Sequence, residues 1–285
     1  NPRSDRGVAT FPGRFTTNTT ATIGTQGEGG SPALGSHFSV TAIHEVGHAI
    51  GLHHPGNYNG GGANYQSGAV YAGDTKARTV MSYWSEKNQG HDFMGQNPSA
   101  PMMGDIAAAQ RVYGANHQTR NTDTTYGFNS NTEREALSLK SATDKPVFCV
   151  WDGGGVDTLD FSGFSQDQSI NLNAESFTDV GGLKGNVSIA KGCTIENAIG
   201  GSGRDTISGN EAANRLKGGA RGDNLRGGGG ADTFVYDKAS DSTPSDPDMI
   251  EDFTSGTDKI DVSGAMKEAG VRALVFTDRL TGRAG

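Results

Sequence analysis

Long apolar runs are missing from this 285-residue chain. A helix needs about 20 consecutive apolar residues to cross a bilayer, so a helical membrane span is excluded. A basic-then-apolar secretory leader is missing as well. The chain opens Asn1-Pro2-Arg3 without Met, and reads as processed or truncated. Basic charge is in deficit, with 24 Lys and Arg against 32 Asp and Glu and a net charge of −8. That argues against a nucleic-acid groove, which wants a basic patch, and suits a protein that binds cations. Cysteine is scarce: only Cys149 and Cys193 occur. Two are too few for a disulfide scaffold, and they lack zinc-site spacing. The reading favours two buried free thiols, with one disulfide as the alternative.

Glycine, by contrast, is abundant: 44 residues, about twice the usual share of roughly 7%. The length suffices for two domains. Residues 7–12 read as a short strand ending at Pro12. Residues 39–50 read as a helix, with Val40, Ile43, Gly47 and Ile50 on one face. Ser39 is the expected N-cap, and Gly51 sits where a left-handed residue ends a helix. A second helix is expected over 104–113, stopped by Gly114. After His117 the texture changes to short β-rich runs, placing a domain boundary near residue 117: 1–116, then 117–285.

Beyond that boundary four nine-residue units run in register over 200–235. They read GGSGRDTIS, GNEAANRLK, GGARGDNLR and GGGGADTFV. The sixth position is Asp205, Asn214, Asp223 and Asp232; the eighth is Ile207, Leu216, Leu225 and Phe234. An oxygen ligand and a large apolar residue thus recur every nine residues, the calcium-binding pattern of a parallel β-roll.

The strongest chemical signal is His44-Glu45-Val46-Gly47-His48-Ala49-Ile50-Gly51-Leu52-His53-His54-Pro55. Residues four apart share a helix face, so His44 and His48 can hold one ion. Glu45 leans toward the same face. Gly51 permits a sharp turn that returns His54 as third nitrogen ligand. Three protein ligands leave an open position, as in catalytic rather than structural zinc sites. HExxH alone is weak; HExxHxxGxxH is a metzincin signature. His53 is off register, and His37, His91 and His117 have no metal spacing. Val80-Met81-Ser82-Tyr83-Trp84 matches the methionine turn of that class, with Met81 packed beneath the site and Tyr83 bringing a phenol near it.

These segments together resemble the serralysin family. So do Asp105-Ile106-Ala107-Ala108 with Tyr113-Gly114-Ala115-Asn116, Tyr126-Gly127-Phe128-Asn129-Ser130-Asn131, Asp179–Asn186 and Glu196-Asn197-Ala198-Ile199-Gly200-Gly201. The resemblance implies an α+β metzincin-type catalytic domain followed by an all-β parallel roll or sandwich. It implies a bacterial, extracellular zinc endopeptidase exported without a signal peptide. His44, His48 and His54 would bind zinc, Glu45 would activate the zinc-bound water and later donate its proton, and Tyr83 would stabilise the oxyanion. Several structural calcium ions are implied. One would use Arg120, Thr122, Thr124, Asp152, Gly154 and Asp157. A neighbour would use Gly155, Asp157, Thr194 and Glu196. In the roll one ion would sit among Gly201, Gly203, Asp205, Gly218, Ala220 and Asp223. The next would sit among Asn210, Ala212, Asn214, Gly227, Gly229 and Asp232. Implied partners are protein and peptide substrates and a proteinaceous inhibitor, with no nucleic acid or membrane, and a monomeric state.

The chain departs from the family in places. Only 43 residues precede His44, so an N-terminally incomplete catalytic domain is expected, with sheet partners for residues 7–12 missing. Arg221 replaces a glycine in its repeat, and Asn214 removes one charge. The alternative function is therefore a catalytically impaired or inactive fragment serving as a calcium-binding roll.

Overall fold

The computed structural model describes residues 7–13, 18–24, 32–59 and 64–273. Its first strand, β1 (Gly7–Ala9), pairs antiparallel with β2 (Ala21–Ile23). Residues 7–12 thus do have a sheet partner, and the strand stops at Ala9 rather than at Pro12. Helix α1 spans His37–Ala49. Its N-cap is Ser36, not Ser39: the Ser36 hydroxyl accepts the Ser39 N–H at 3.0 Å. Gly35, at φ +75°, turns the chain just before it. Ser39 becomes the third helical residue, the position whose N–H a cap side chain satisfies. A short α2 (Tyr65–Gly68) precedes α3 (Met103–Tyr113), which ends at Gly114 with φ +84°.

The second half is built from half-coils. A six-stranded parallel sheet runs Thr125–Gly127, Thr158–Asp160, Asn197–Ile199, Arg215–Lys217, Thr233–Val235, Lys259–Asp261. A facing four-stranded parallel sheet runs Ser169–Asn171, Thr206–Ser208, Asn224–Arg226, Met249–Ile250. Across the repeats, successive strands alternate between the two sheets, so residues one full coil apart pair: Ile207 with Leu225, Leu216 with Phe234. The three residues of each strand alternate faces, which sends only the middle one inward. Ile207, Leu216, Leu225 and Phe234 are all fully buried between the sheets.

A three-stranded sheet, Phe148–Val150, Val187–Ile189 and Phe177–Thr178, partitions two cores. Phe148, Val150, Val187 and Ile189 face the roll core. Val147, Cys149 and Ala190 face the core beneath α1, which also holds Val40, Leu52, Met81 and Met102. Burial on both faces explains why Phe148-Cys149-Val150 is a continuous apolar run. Cys149 and Cys193 are free and buried, as expected, and burial pushes both thiols up to about 12.

Candidate functional site

Helix α1 carries His44, Glu45 and His48. After it, Gly51 at φ +97° reverses the chain, and Leu52 N–H bonds back to the Gly47 carbonyl at 2.9 Å. His54 is thereby returned to the helix. Ligand atoms of His44, His48 and His54 all lie within 4.8 Å of one another, and the His54 Nε2 is 3.1 Å from the Nε2 of each partner.

The other ring nitrogens explain this convergence. His44 Nδ1 meets the Val80 carbonyl at 2.8 Å, His48 Nδ1 meets Leu52 at 2.7 Å, and His54 Nδ1 meets Tyr58 at 2.8 Å. A carbonyl only accepts, so each Nδ1 holds the ring proton and donates it. Each Nε2 is then a bare lone pair, and three such lone pairs face one point. They cannot hydrogen-bond to one another; a cation is what satisfies them. Four-coordinate zinc takes imidazole nitrogens at about 2.0–2.1 Å, which sets them roughly 3.3 Å apart, so the residues fit that ion. Protonation opposes the arrangement: burial, with the neighbouring imidazoles adding to it, lowers His44 to about 4 and also lowers His54.

Glu45 is 6% exposed, and burial raises its carboxyl. Strand β1 lies directly on it: a Cβ at Gly7 would come within 2.2 Å of Glu45 Cγ. Met81 is buried under α1, where a Cβ at Gly47 would come within 2.6 Å of its Sδ. That contact is why a glycine sits mid-helix, at a cost of about 1 kcal/mol relative to alanine. The half-exposed Tyr83 ring lies 4.6 Å from the His54 ring and 5.9 Å from His44. A cleft of about 400 Å³ brings together β1, Phe11, the triad, Glu45, Tyr58 and Tyr83. His53 lines the same cleft but is not one of the three converging imidazoles, and stacks on Phe11 at 4.5 Å. His91 packs on Phe177 and His117 on Trp151.

The acids of the roll form two ladders along the turns. On one edge the Gln168, Asp205 and Asp223 N–H groups donate in turn to Oδ1 of Asp205, Asp223 and Asp248, at 2.8, 2.7 and 3.0 Å. On the other, Thr124 N–H donates to Asp157, Asp157 to Glu196, Asn214 to Asp232, and Asp232 to Asp258. One rung differs: Asn214 Nδ2 donates to the Glu196 carbonyl at 2.9 Å. Around these ladders the remaining expected residues gather. Gly201 N–H donates to Asp205, Ala220 N–H to the Gly201 carbonyl, and Gly229 N–H to the Asn210 carbonyl, whose Oδ1 takes the Ala212 N–H. A Cβ at Gly218 or Gly227 would come within 2.1 Å of Asp223 or Asp232, and one at Gly203 within 2.4 Å of the Gln166 carbonyl. At the first coil, Gly154 N–H donates to Asp152, Gly155 presses on Thr122, and Arg120 bonds Tyr126, whose hydroxyl donates to Asp152. Thr194 is exposed, two residues before Glu196.

Oxygens of Asp157, Asp223 and Asp248 are buried without a hydrogen-bond partner. Burial with neighbouring carboxylates raises Asp157, and lifts Asp223 to about 8 and Asp248 to about 6. Orphaned, mutually repelling carboxylate oxygens suit a hard cation with oxygen ligands. Asp248 and Asp258 lie outside the four nine-residue units over 200–235. Asp248 lies 25 residues after Asp223 rather than 18, so the nine-residue phase points to Asp241 instead. The signal was nonetheless present: an acid two positions before an apolar strand residue, as in Asp248-Met249-Ile250 and Asp258-Lys259-Ile260.

A three-histidine metzincin-type site joined to a parallel β-roll is the class that fold and geometry define. A family model described as Peptidase M10 serralysin C terminal matches residues 115–285, and one described as metallo-peptidase family M12B, reprolysin-like, matches 17–110. Metallopeptidase AprA of Pseudomonas marginalis is 55% identical over 269 residues, covering 90% of this chain and 56% of that protein. Serralysin of Photorhabdus luminescens is 55% identical over 258 residues, covering 86% and 53%. Serralysin of Proteus mirabilis is 47% identical over 276 residues, covering 90% and 56%. The chain belongs to the serralysin family, and it spans about half the length of the curated relatives it matches. No described helix is long and apolar enough to cross a membrane.

Proposed function

We propose that this chain carries the active site of a secreted, zinc-dependent endopeptidase acting on protein and peptide substrates. In this reading 1–116 is the catalytic part and 117–285 the calcium-binding part. One observation carries it: three imidazoles, each with its proton held by a backbone carbonyl, aim bare nitrogens at one point beside a buried carboxylate. His44, His48 and His54 would hold zinc, which when bound polarises a carbonyl and brings the pKa of water near 7.

The chain's own residues supply the rest. Glu45 takes the proton of the attacking water and returns it to the leaving amine. A carboxyl raised by burial is closer to the operating pH, which favours such a shuttle. The Tyr83 phenol donates to the oxygen on which negative charge grows. β1 lines the cleft over Glu45, and its edge away from β2 can pair with an extended peptide. In the roll, Asp157, Glu196, Asp205, Asp223 and Asp232, with Asn214 and the turn carbonyls, hold calcium.

Metal analysis of the purified chain beside casein hydrolysis, with and without a zinc chelator, tests the reading. One zinc per chain and chelator-sensitive cleavage are expected. Stoichiometric zinc without cleavage would favour the inactive calcium-binding fragment, and no zinc at all would contradict the site itself.

A further inference from the structure

His54 differs from the other two histidines in what holds it. His48 donates to buried Leu52, which follows Gly51 but is tied back to α1 by its own N–H on the Gly47 carbonyl, and His44 donates to Val80, whose N–H is anchored on the buried Asp105. His54 sits on the loop after Gly51, and its acceptor is Tyr58 on that same loop. A loop carbonyl positions an imidazole only if something fixes the loop.

Tyr58 is 4% exposed, and its hydroxyl donates to Asp74 Oδ1 at 2.8 Å. Asp74 is fully buried, and its own N–H is tied to the Tyr71 carbonyl at 3.0 Å. The Tyr58 ring stacks on His54 at 5.4 Å and 15°, and touches Tyr83 at 5.1 Å and Trp84 at 5.0 Å. One residue thus meets the third imidazole twice, through its carbonyl and through its ring, and also backs the phenol of Tyr83. Asp74 Oδ2 is buried with no hydrogen-bond partner. A buried carboxylate with an orphaned oxygen is destabilising compared with an apolar or fully bonded group, so stability alone does not account for it.

We propose that Asp74 and Tyr58 form a clamp that positions His54 for metal binding. Asp74 is a positioning residue: it fixes the Tyr58 side chain, Tyr58 fixes the loop carbonyl, and that carbonyl sets the tautomer and direction of the imidazole. Partners behind a metal ligand of this kind are typically worth about 10–100-fold in metal affinity or activity. The inference rests on the zinc reading above.

The test uses the full chain, two disruptive variants, Asp74→Ala and Tyr58→Phe, and a conservative third, Asp74→Asn. Tyr58→Phe removes only the hydroxyl and keeps the ring and the carbonyl, so it carries the test if Asp74→Ala fails to fold. Zinc affinity is measured by competition with a fluorescent chelator, and the ligand field by the visible spectrum of the cobalt-loaded chain. Both disruptive variants are expected to bind zinc about 10–100-fold more weakly and to shift the cobalt bands. Asp74→Asn, which keeps an acceptor for the hydroxyl, is expected to recover most of the loss. Variants that melt lower when metal-free, yet bind zinc within about twofold of wild type with an unchanged cobalt spectrum, would overturn the clamp. Failure of the wild-type chain to take up zinc would instead contradict the zinc reading.

Discussion

Glu45 and Gly47 sit two residues apart in α1 and are constrained for opposite reasons. In the proposed mechanism Glu45 moves the proton, so Glu45→Gln is expected to keep zinc and lose nearly all casein hydrolysis; near-wild-type turnover would remove it from the mechanism. Gly47 is needed for space. Alanine there improves helix propensity by about 1 kcal/mol, but its Cβ would meet Met81 Sδ at 2.6 Å. Overpacking of this kind costs about 1–3 kcal/mol, so Gly47→Ala is expected to lower the melting temperature, and a rise would show that Met81 simply moves aside. The triad was legible in the sequence because helical period and one turn glycine dictate it. Asp74 and Tyr58 were not, since they lie sixteen positions apart in sequence and no period links them.

At the level of elements, the half-coil is the unit, and its rule was readable wherever the nine-residue phase held. The phase broke after Asp232, and with it went Asp248 and Asp258, although both continue the ladders. The cap of α1 was misread because Ser36 and Ser39 both suit the role, and only the left-handed Gly35 decides between them. Arg221 adopts φ +76° in its turn, where a side chain costs about 1–2 kcal/mol. Arg221→Gly is therefore expected to stabilise the calcium-loaded chain by about 1 kcal/mol in denaturant unfolding. Asn214 gives a prediction of two signs. Its amide supplies a donor to Glu196 where a carboxylate would repel. Asn214→Asp is expected to lower the melting temperature in chelator and raise it in calcium; a shift of the same sign in both would show that no cation sits at that rung.

For the whole molecule, the shared sheet couples the roll core to the core beneath α1, since one face of it serves each. Loss of order in the roll should therefore reach the core beneath α1. Acid titration gives the sign in the calcium-free state. Burial, with Asp248, Asp205 and Asp246 alongside, raises Asp223 from 3.8 to about 8, and burial, with Asp241 and Asp246 alongside, raises Asp248 to about 6. The folded chain therefore binds protons that the unfolded chain has released. Stability from these groups is complete below about pH 4 and is lost as pH rises toward about pH 8. In chelator the melting temperature is expected to fall across that window, and calcium should abolish the fall. The central claim is the meeting of three imidazoles, and zinc-edge absorption spectroscopy of the intact chain tests it most directly. One tightly held zinc with three imidazole nitrogens at about 2.0–2.1 Å is the expected result, whereas a zinc bound by fewer than three imidazoles, or none bound in stoichiometric amount, would contradict it.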